Sequence, residues 1–90
     1  MRIEELEWDN RNTNHIARHG VSPDEVEEVL FENRPHFRRW RNIFHAYGRT
    51  NSGRYLFVVF KMVGRYKARV ITAREMTPKE RRLYRKVIGL

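Results

Sequence analysis

Arg69-Val70-Ile71-Thr72-Ala73-Arg74-Glu75-Met76-Thr77-Pro78-Lys79-Glu80-Arg81-Arg82-Leu83-Tyr84 is the stretch on which the reading of this chain turns. Its first half predicts a strand, because Val70 and Ile71 are β-branched and sit in a run with polar flanks. Its second half predicts a helix. Thr77 can cap, Pro78 suits the first helical position, and Glu80 can return a hydrogen bond to the cap. Both elements are rich in arginine, so a grip for an anionic partner is expected here.

The chain on either side supplies the rest of the fold. Arg54–Val63 (RYLFVVFKMV) is the clearest strand, and its five successive apolar residues, Leu56 to Phe60, predict burial on both faces and a central place in a sheet. Gly64-Arg65 turns it into a returning strand over Tyr66–Glu75. Asn51-Ser52-Gly53 reads as a hairpin turn after a strand over Ile43–Thr50, with a shorter one over His36–Trp40 before that. Towards the N-terminus, Ile3–Trp8 predicts a short edge strand. Asp9 can cap a helix over Asn10–His19, and Gly20 suits its left-handed stop. That helix has only Ile16 and Ala17 as apolar residues and must lean on tertiary contacts. Ser22-Pro23-Asp24-Glu25 repeats the cap-Pro-Glu start. Val26, Val29 and Leu30 then share one face, Asp24, Glu25, Glu27 and Glu28 face water, and Pro35 ends the element. The last helix, Pro78–Ile88, gathers Leu83, Tyr84, Val87 and Ile88 on one side. The predicted order is β-α-α-β-(β)-β-β-α. The class is α+β: a small curled antiparallel sheet of four to five strands, two N-terminal helices and one C-terminal helix, with the helices on one face.

Ninety residues suit one domain spanning 1–90. Cysteine is absent, which excludes a disulfide framework and thiolate chemistry. The apolar run Leu56–Phe60 is too short for a membrane span or a signal core, so no membrane association and a cytoplasmic location are expected. Charge is unevenly placed. Residues 1–33 carry three basic and nine acidic residues, net −6, whereas residues 34–90 carry sixteen basic residues against Glu75 and Glu80, net +14. Fifteen of the nineteen basic residues are arginine, the side chain best shaped for bidentate phosphate contacts. A polyanion or an acidic protein is the implied partner, against the plainer alternative of a soluble arginine-rich surface.

Trp8-Asp9, His19-Gly20-Val21-Ser22 before an acidic helix, Gly48-Arg49-Thr50 with Gly53-Arg54, Arg69-Val70-Ile71-Thr72-Ala73-Arg74, and Glu80-Arg81-Arg82 with Tyr84 occur in that order. In this the chain resembles the BrnT family of type II toxins, within the RelE-like ribonuclease superfamily, over residues 8 to 85. The resemblance implies a RelE-like toxin domain that cleaves mRNA without a metal or other cofactor. It also implies a small antitoxin with a ribbon-helix-helix domain, two toxins assembled with two antitoxins, and operator DNA contacted through the antitoxin. Matched by position, it singles out His19, Arg54, Arg69, Arg74, Glu80 and Tyr84 as catalytic candidates. One segment departs from the family pattern: His36–Ile43 is richer in arginine and tryptophan than is usual there.

Metal-free cleavage uses the substrate's own 2′-hydroxyl, so the protein must supply cations for the phosphorane and groups for proton transfer. Arg54, Arg69 and Arg74 are the candidate phosphate binders; the plainer reading makes them ion pairs to the acidic second helix or a solvated sheet edge. Arg49, Lys67, Arg81, Arg82 and Arg85 are candidate RNA contacts. Arg69 and Arg74 are five apart and point to opposite faces of a regular strand, so a shared site requires a break near Ala73. Arg54 and Arg69, on different strands, are an alternative facing pair. His19 at a helix end is a candidate acid or phosphate cation, or simply a helix-end hydrogen-bonding residue. Glu80 is expected in capping and in a salt bridge to Arg74 or Lys79, and Tyr84, one turn on, serves the same face or the core. His15 and His19 share a helical side, but no third ligand or hydrolytic glutamate accompanies them, so no metal site is expected. Two rival readings are a basic nucleic-acid-binding module without catalysis and an antitoxin-binding protein without nuclease activity.

Overall fold

Strand β4 (Tyr55–Met62) occupies the middle of a five-stranded sheet, as its unbroken apolar run requires. The computed structural model describes residues 2–89. In chain order the elements are β1 (Glu5–Glu7), α1 (Asn10–Ala17), α2 (Pro23–Glu27, running on as a π-helical turn over Glu28–Glu32), β2 (His36–Trp40), β3 (Ile43–Arg49), β4, β5 (Lys67–Glu75) and α3 (Pro78–Ile88). The strands lie in the order β1-β5-β4-β3-β2. All neighbours are antiparallel except β1, which joins β5 in parallel and makes the sheet mixed.

Local chemistry sets the helix starts. Asp9, Ser22 and Thr77 are extended N-caps, each closing a reciprocal box with Asn12, Glu25 and Glu80 respectively. Gly20 adopts φ +71°, the left-handed stop after α1.

Alternation along β4 divides the core. Leu56, Val58 and Phe60 face α1 and α2, where they pack with Ile16, Val26 and Val29. Phe57, with the half-buried Tyr55 and Val59, packs on the opposite face with Met76 and Tyr84 of the C-terminal segment. The helices therefore lie on both faces, not on one as expected, because β4 has apolar residues to bury on each. Gly48 permits close packing on the first side: a Cβ there would meet Val29 Cγ1 at 2.9 Å and Pro35 Cβ at 3.2 Å.

Helix α1 closes the edge of β5 beyond the short β1. Asn12, buried, donates from Nδ2 to the carbonyls of Glu7 (2.8 Å) and Val70 (3.0 Å). That satisfies backbone acceptors that an open edge would leave unpaired. The apolar side of α3 is less well covered: Tyr84 is buried, while Leu83, Val87 and Ile88 remain exposed.

Candidate nucleic-acid interface

The register of β5 contains the break that a shared arginine site requires. Val59 pairs with Thr72, but the next residue of β4, Phe60, pairs with Val70. Ile71 is thus the extra residue of a β-bulge, two positions before Ala73. As a result Arg69 lies opposite Lys61 and Arg74 opposite Phe57, and both partners are on the same face of β4. The bulge cancels the odd spacing of the two arginines.

Across the sheet this face forms three rows. Trp40, Ile43, Lys61 and Arg69 make the first; Arg38, His45, Val59 and Thr72 the second; His36, Tyr47, Phe57 and Arg74 the third. Helix α3 covers the third row through Tyr84, which stands edge-on to Tyr55 with ring centroids 6.0 Å apart. The His45–Val59–Lys61 part stays half-exposed. Phe57 is the floor shared by two polar groups: the Arg74 guanidinium lies 4.4 Å above its ring centroid and the His45 ring meets it edge-on at 5.1 Å. His15 joins from α1, its Nε2 2.9 Å from Thr72 Oγ1.

Each predicted phosphate arginine is already paired. Arg74 donates to both oxygens of Glu80, from Nη1 at 2.8 Å and Nη2 at 3.0 Å, and from Nη1 to the Glu75 carbonyl. This uses the end-on edge of the guanidinium and leaves Nε–H and one Nη2–H, the side edge, without a partner among the described residues. Arg69 donates to Glu7 and, through both terminal nitrogens, to Asp9. With two carboxylates on one cation, that cluster is net negative. It ties β5 to β1 and to the cap of α1. Arg54 donates to Glu25 (2.7 Å), the Gly20 carbonyl and Glu75, the ion pair to the second helix that the plainer reading anticipates. Arg54 and Arg69 do not face each other: Arg54 precedes the first residue of β4, whereas Arg69 lies across from Lys61 near the other end of that strand.

The Arg74 hydrogen bonds hold the Glu80 carboxyl below its ordinary range despite partial burial, and the Thr77 N–H reinforces this. Both Glu80 oxygens are occupied, so the residue is built to position Arg74 and cap α3. Glu25 also ends below its ordinary value: burial pushes it up, but donors from Arg54 and Ser22 outweigh that. Burial pushes the Tyr84 phenol up, so at neutral pH it is an intact hydroxyl that can donate a hydrogen bond. It lines a groove of about 200 Å³ with His36, Arg38, Tyr47, Glu80 and Leu83.

His19 is exposed at the end of α1, its ring edge-on to His15 at 5.3 Å. Among the described residues no three side chains of metal-binding type are grouped to hold an ion. The predicted RNA contacts are dispersed. Arg49 and Arg81 stack on Tyr55 at 5.0 and 4.5 Å, Arg82 and Arg85 are exposed on α3, and Lys67 sits beside Glu5. Sequence reasoning missed Arg38, His45, Lys61 and Thr72. Their signal was available in the period of two: once β4 is divided into faces, pairing assigns each of them to the open one. Among the described residues no helix is long and apolar enough to cross a membrane.

Comparison with known proteins gives two findings. A family model described as "Ribonuclease toxin, BrnT, of type II toxin-antitoxin system" matches residues 8–80. The crystal structure of the Brucella abortus ribonuclease toxin, BrnT, is similar, with a TM-score of 0.64 and 25% sequence identity. The match covers 81% of this chain and 96% of that one. No curated protein matches.

Proposed function

The chain belongs to the BrnT family of ribonuclease toxins of type II toxin–antitoxin systems, and from that premise we propose that it is a metal-independent endoribonuclease acting on mRNA from the open sheet face, as one domain spanning residues 1–90. The observation that carries this reading is Arg74: its end-on edge is fixed by Glu80, its side edge has no partner among the described residues, and it shares a sheet face with the half-exposed His45, Val59 and Lys61. A guanidinium held this way is preorganised for a phosphate, and such a donor is worth roughly 3–4 kcal/mol to a charged transition state.

The chemistry proceeds as an internal transfer. The 2′-hydroxyl loses its proton to an imidazole, its oxygen bonds to phosphorus, and the bond to the 5′-oxygen breaks as that oxygen gains a proton. The products are a 2′,3′-cyclic phosphate and a 5′-hydroxyl. His45, sharing the Phe57 floor with Arg74, is the candidate base. The Tyr84 phenol, which lines the groove beside Glu80, is the candidate donor. Glu80 positions Arg74; Arg69 and Arg54 hold the frame; His19, edge-on to His15 after α1, is a candidate phosphate contact. Arg49, Lys67, Arg81, Arg82 and Arg85 extend the positive field that draws RNA in.

The partner in this reading is a small antitoxin with a ribbon-helix-helix domain, in a complex of two toxins and two antitoxins that meets operator DNA through the antitoxin. The uncovered apolar side of α3 borders the Tyr84 groove, so an antitoxin seated there would also cover the site. The setting is the cytoplasm. Expression of the chain alone tests the reading: growth arrest with mRNA loss, relieved by the antitoxin and by Arg74→Met, is expected, and normal growth with intact RNA from folded protein refutes it. A second reading, a basic binding module without catalysis, is favoured by one fact: all three predicted phosphate arginines are ion-paired. It predicts RNA binding by the wild-type chain with no cleavage.

A further inference from the structure

The β2–β3 hairpin carries features that neither the fold nor the reaction above uses. Trp40 is 68% exposed, more than any other large apolar side chain described. An indole left in water contributes little to the core, and its position in the sheet is not incidental. It heads the row Trp40–Ile43–Lys61–Arg69, on the same face as Arg74 and one row from Arg38 and His45. With neighbouring strands about 4.8 Å apart, the ring stands roughly 10 Å from the Lys61 position along that row.

The surrounding charge is free, unlike that of the paired arginines. Arg38, Arg39, Arg41 and Lys61 have no carboxylate partner among the described residues. No aspartate or glutamate occurs between Glu32 and Glu75. The hairpin tip is also held in shape. Arg41 adopts φ +59°, an uncommon conformation for a side chain of that size, while its carbonyl accepts from Arg39 Nε at 2.7 Å. Its guanidinium lies 5.0 Å from the Trp40 ring centroid. An exposed aromatic face flanked by unpaired cations is the construction that single-stranded nucleic acid recognises, with bases stacking and phosphates meeting arginine.

Resting on the ribonuclease reading, we propose that this hairpin is a second RNA subsite, in which Trp40 stacks an unpaired base and Arg38 and Lys61 take the phosphates leading to Arg74. It selects single-stranded RNA and fixes where the strand crosses the cleavage groove. An acidic antitoxin segment would also be drawn to this charge, but charge alone has no use for an indole continuous with the cleavage face.

The test is fluorescence anisotropy of the full-length chain with a labelled 2′-O-methyl oligoribonucleotide of about twelve nucleotides, within the range of single-strand site sizes. The blocked 2′-oxygen separates binding from cleavage. Trp40→Ala is expected to weaken binding about tenfold, the loss of one stacked base, while Trp40→Phe stays within about threefold of wild type. Arg38→Ala should weaken binding and lower the log–log salt slope by about one. Cleavage of unmodified RNA by wild type is measured in parallel. If Trp40→Ala binds as wild type does, or Trp40→Leu binds as well as Trp40→Phe, the stacking subsite is overturned even when wild type cleaves RNA. If Trp40→Ala weakens affinity for the antitoxin and not for the oligonucleotide, the surface belongs to the protein partner and the proposal falls. If stacking is lost in Trp40→Ala but wild type cleaves nothing, the subsite stands and the ribonuclease reading fails.

Discussion

Glu80→Gln separates a positioning carboxylate from a catalytic one. Glutamine has the same shape, and its amide oxygen can still accept from the Thr77 N–H, so the cap of α3 survives. What disappears is the charge facing Arg74 at 2.8 and 3.0 Å. A hydrogen bond to a charged group contributes about 1.5–3 kcal/mol when shielded, and an exposed ion pair about 0–1 kcal/mol. The two side chains are 35% and 22% exposed, so screening sets the expected loss near 1–1.5 kcal/mol, or about 4–10 °C in Tm. Arg74 holds the Glu80 carboxyl below its ordinary value. Its contribution is therefore complete above the unfolded carboxyl pKa and fades as pH falls through the lower folded value. Urea melts should show the full gap between wild type and variant at neutral pH, closing in acid. In RNA cleavage, a loosened Arg74 should lower kcat about tenfold, and uncleavable RNA should bind no more weakly. Loss of a general acid or base would instead cost about 10²–10⁴ in rate. A kcat loss beyond about a hundredfold, with the acid limb of the pH–rate profile gone, would refute the positioning role.

The remaining expectations follow from the same contacts. Arg74→Met should reduce cleavage by about 10²–10³ with the fold intact by circular dichroism, whereas Arg69→Met should mainly destabilise. The Arg69 effect should be largest at neutral pH and shrink in acid, because the Arg69 hydrogen bond holds Asp9 below its ordinary value. Asn12→Ala strips partners from the Glu7 and Val70 carbonyls and should cost about 2–3 kcal/mol in urea denaturation. Gly48→Ala drives a methyl against Val29 and Pro35 and should cost about 1–3 kcal/mol.

Elements whose signals are local were legible. The cap-Pro-Glu pattern at Thr77 placed α3 at Pro78–Ile88, where it lies. The apolar run of β4 announces a strand buried on both faces, and helices on each side are the consequence. Helix α1 stops at Ala17, two residues short of the expected His19, because its end depends on how Gly20 turns the chain towards α2. Features set by distant partners were not legible. The parallel pairing of β1 depends on which residues of β5 remain open. Asn12 reads as an ordinary polar helix residue until Val70 stands beside it. The bulge at Ile71 exists because Ala68 and Val70 before it, and Ala73 after it, all bury on the α1–α2 side. No two-residue period joins positions 70 and 73; one residue must be set aside.

The charge count alone does not show which arginines are paired. The acidic first third is not a separate surface. Glu7, Asp9 and Glu25 fold back onto Arg69 and Arg54, while Glu80 takes Arg74. The arginines chosen from motif order are therefore the neutralised ones. Their use to the protein depends on which guanidinium edge is left over: an outnumbered cation such as Arg69 repels a phosphate, while Arg74, matched one to one, keeps a directed fork. Uncompensated charge lies instead on Arg38, Arg39, Arg41 and Lys61, in the carboxylate-free span between Glu32 and Glu75. By turning Arg69, Thr72 and Arg74 to the side of β4 that bears Lys61, the bulge puts the free cations Arg38 and Lys61 and the preorganised Arg74 on a single face, with Arg39 on the other over Phe44. On the proposed reading, an RNA strand drawn by the first would be delivered to the second.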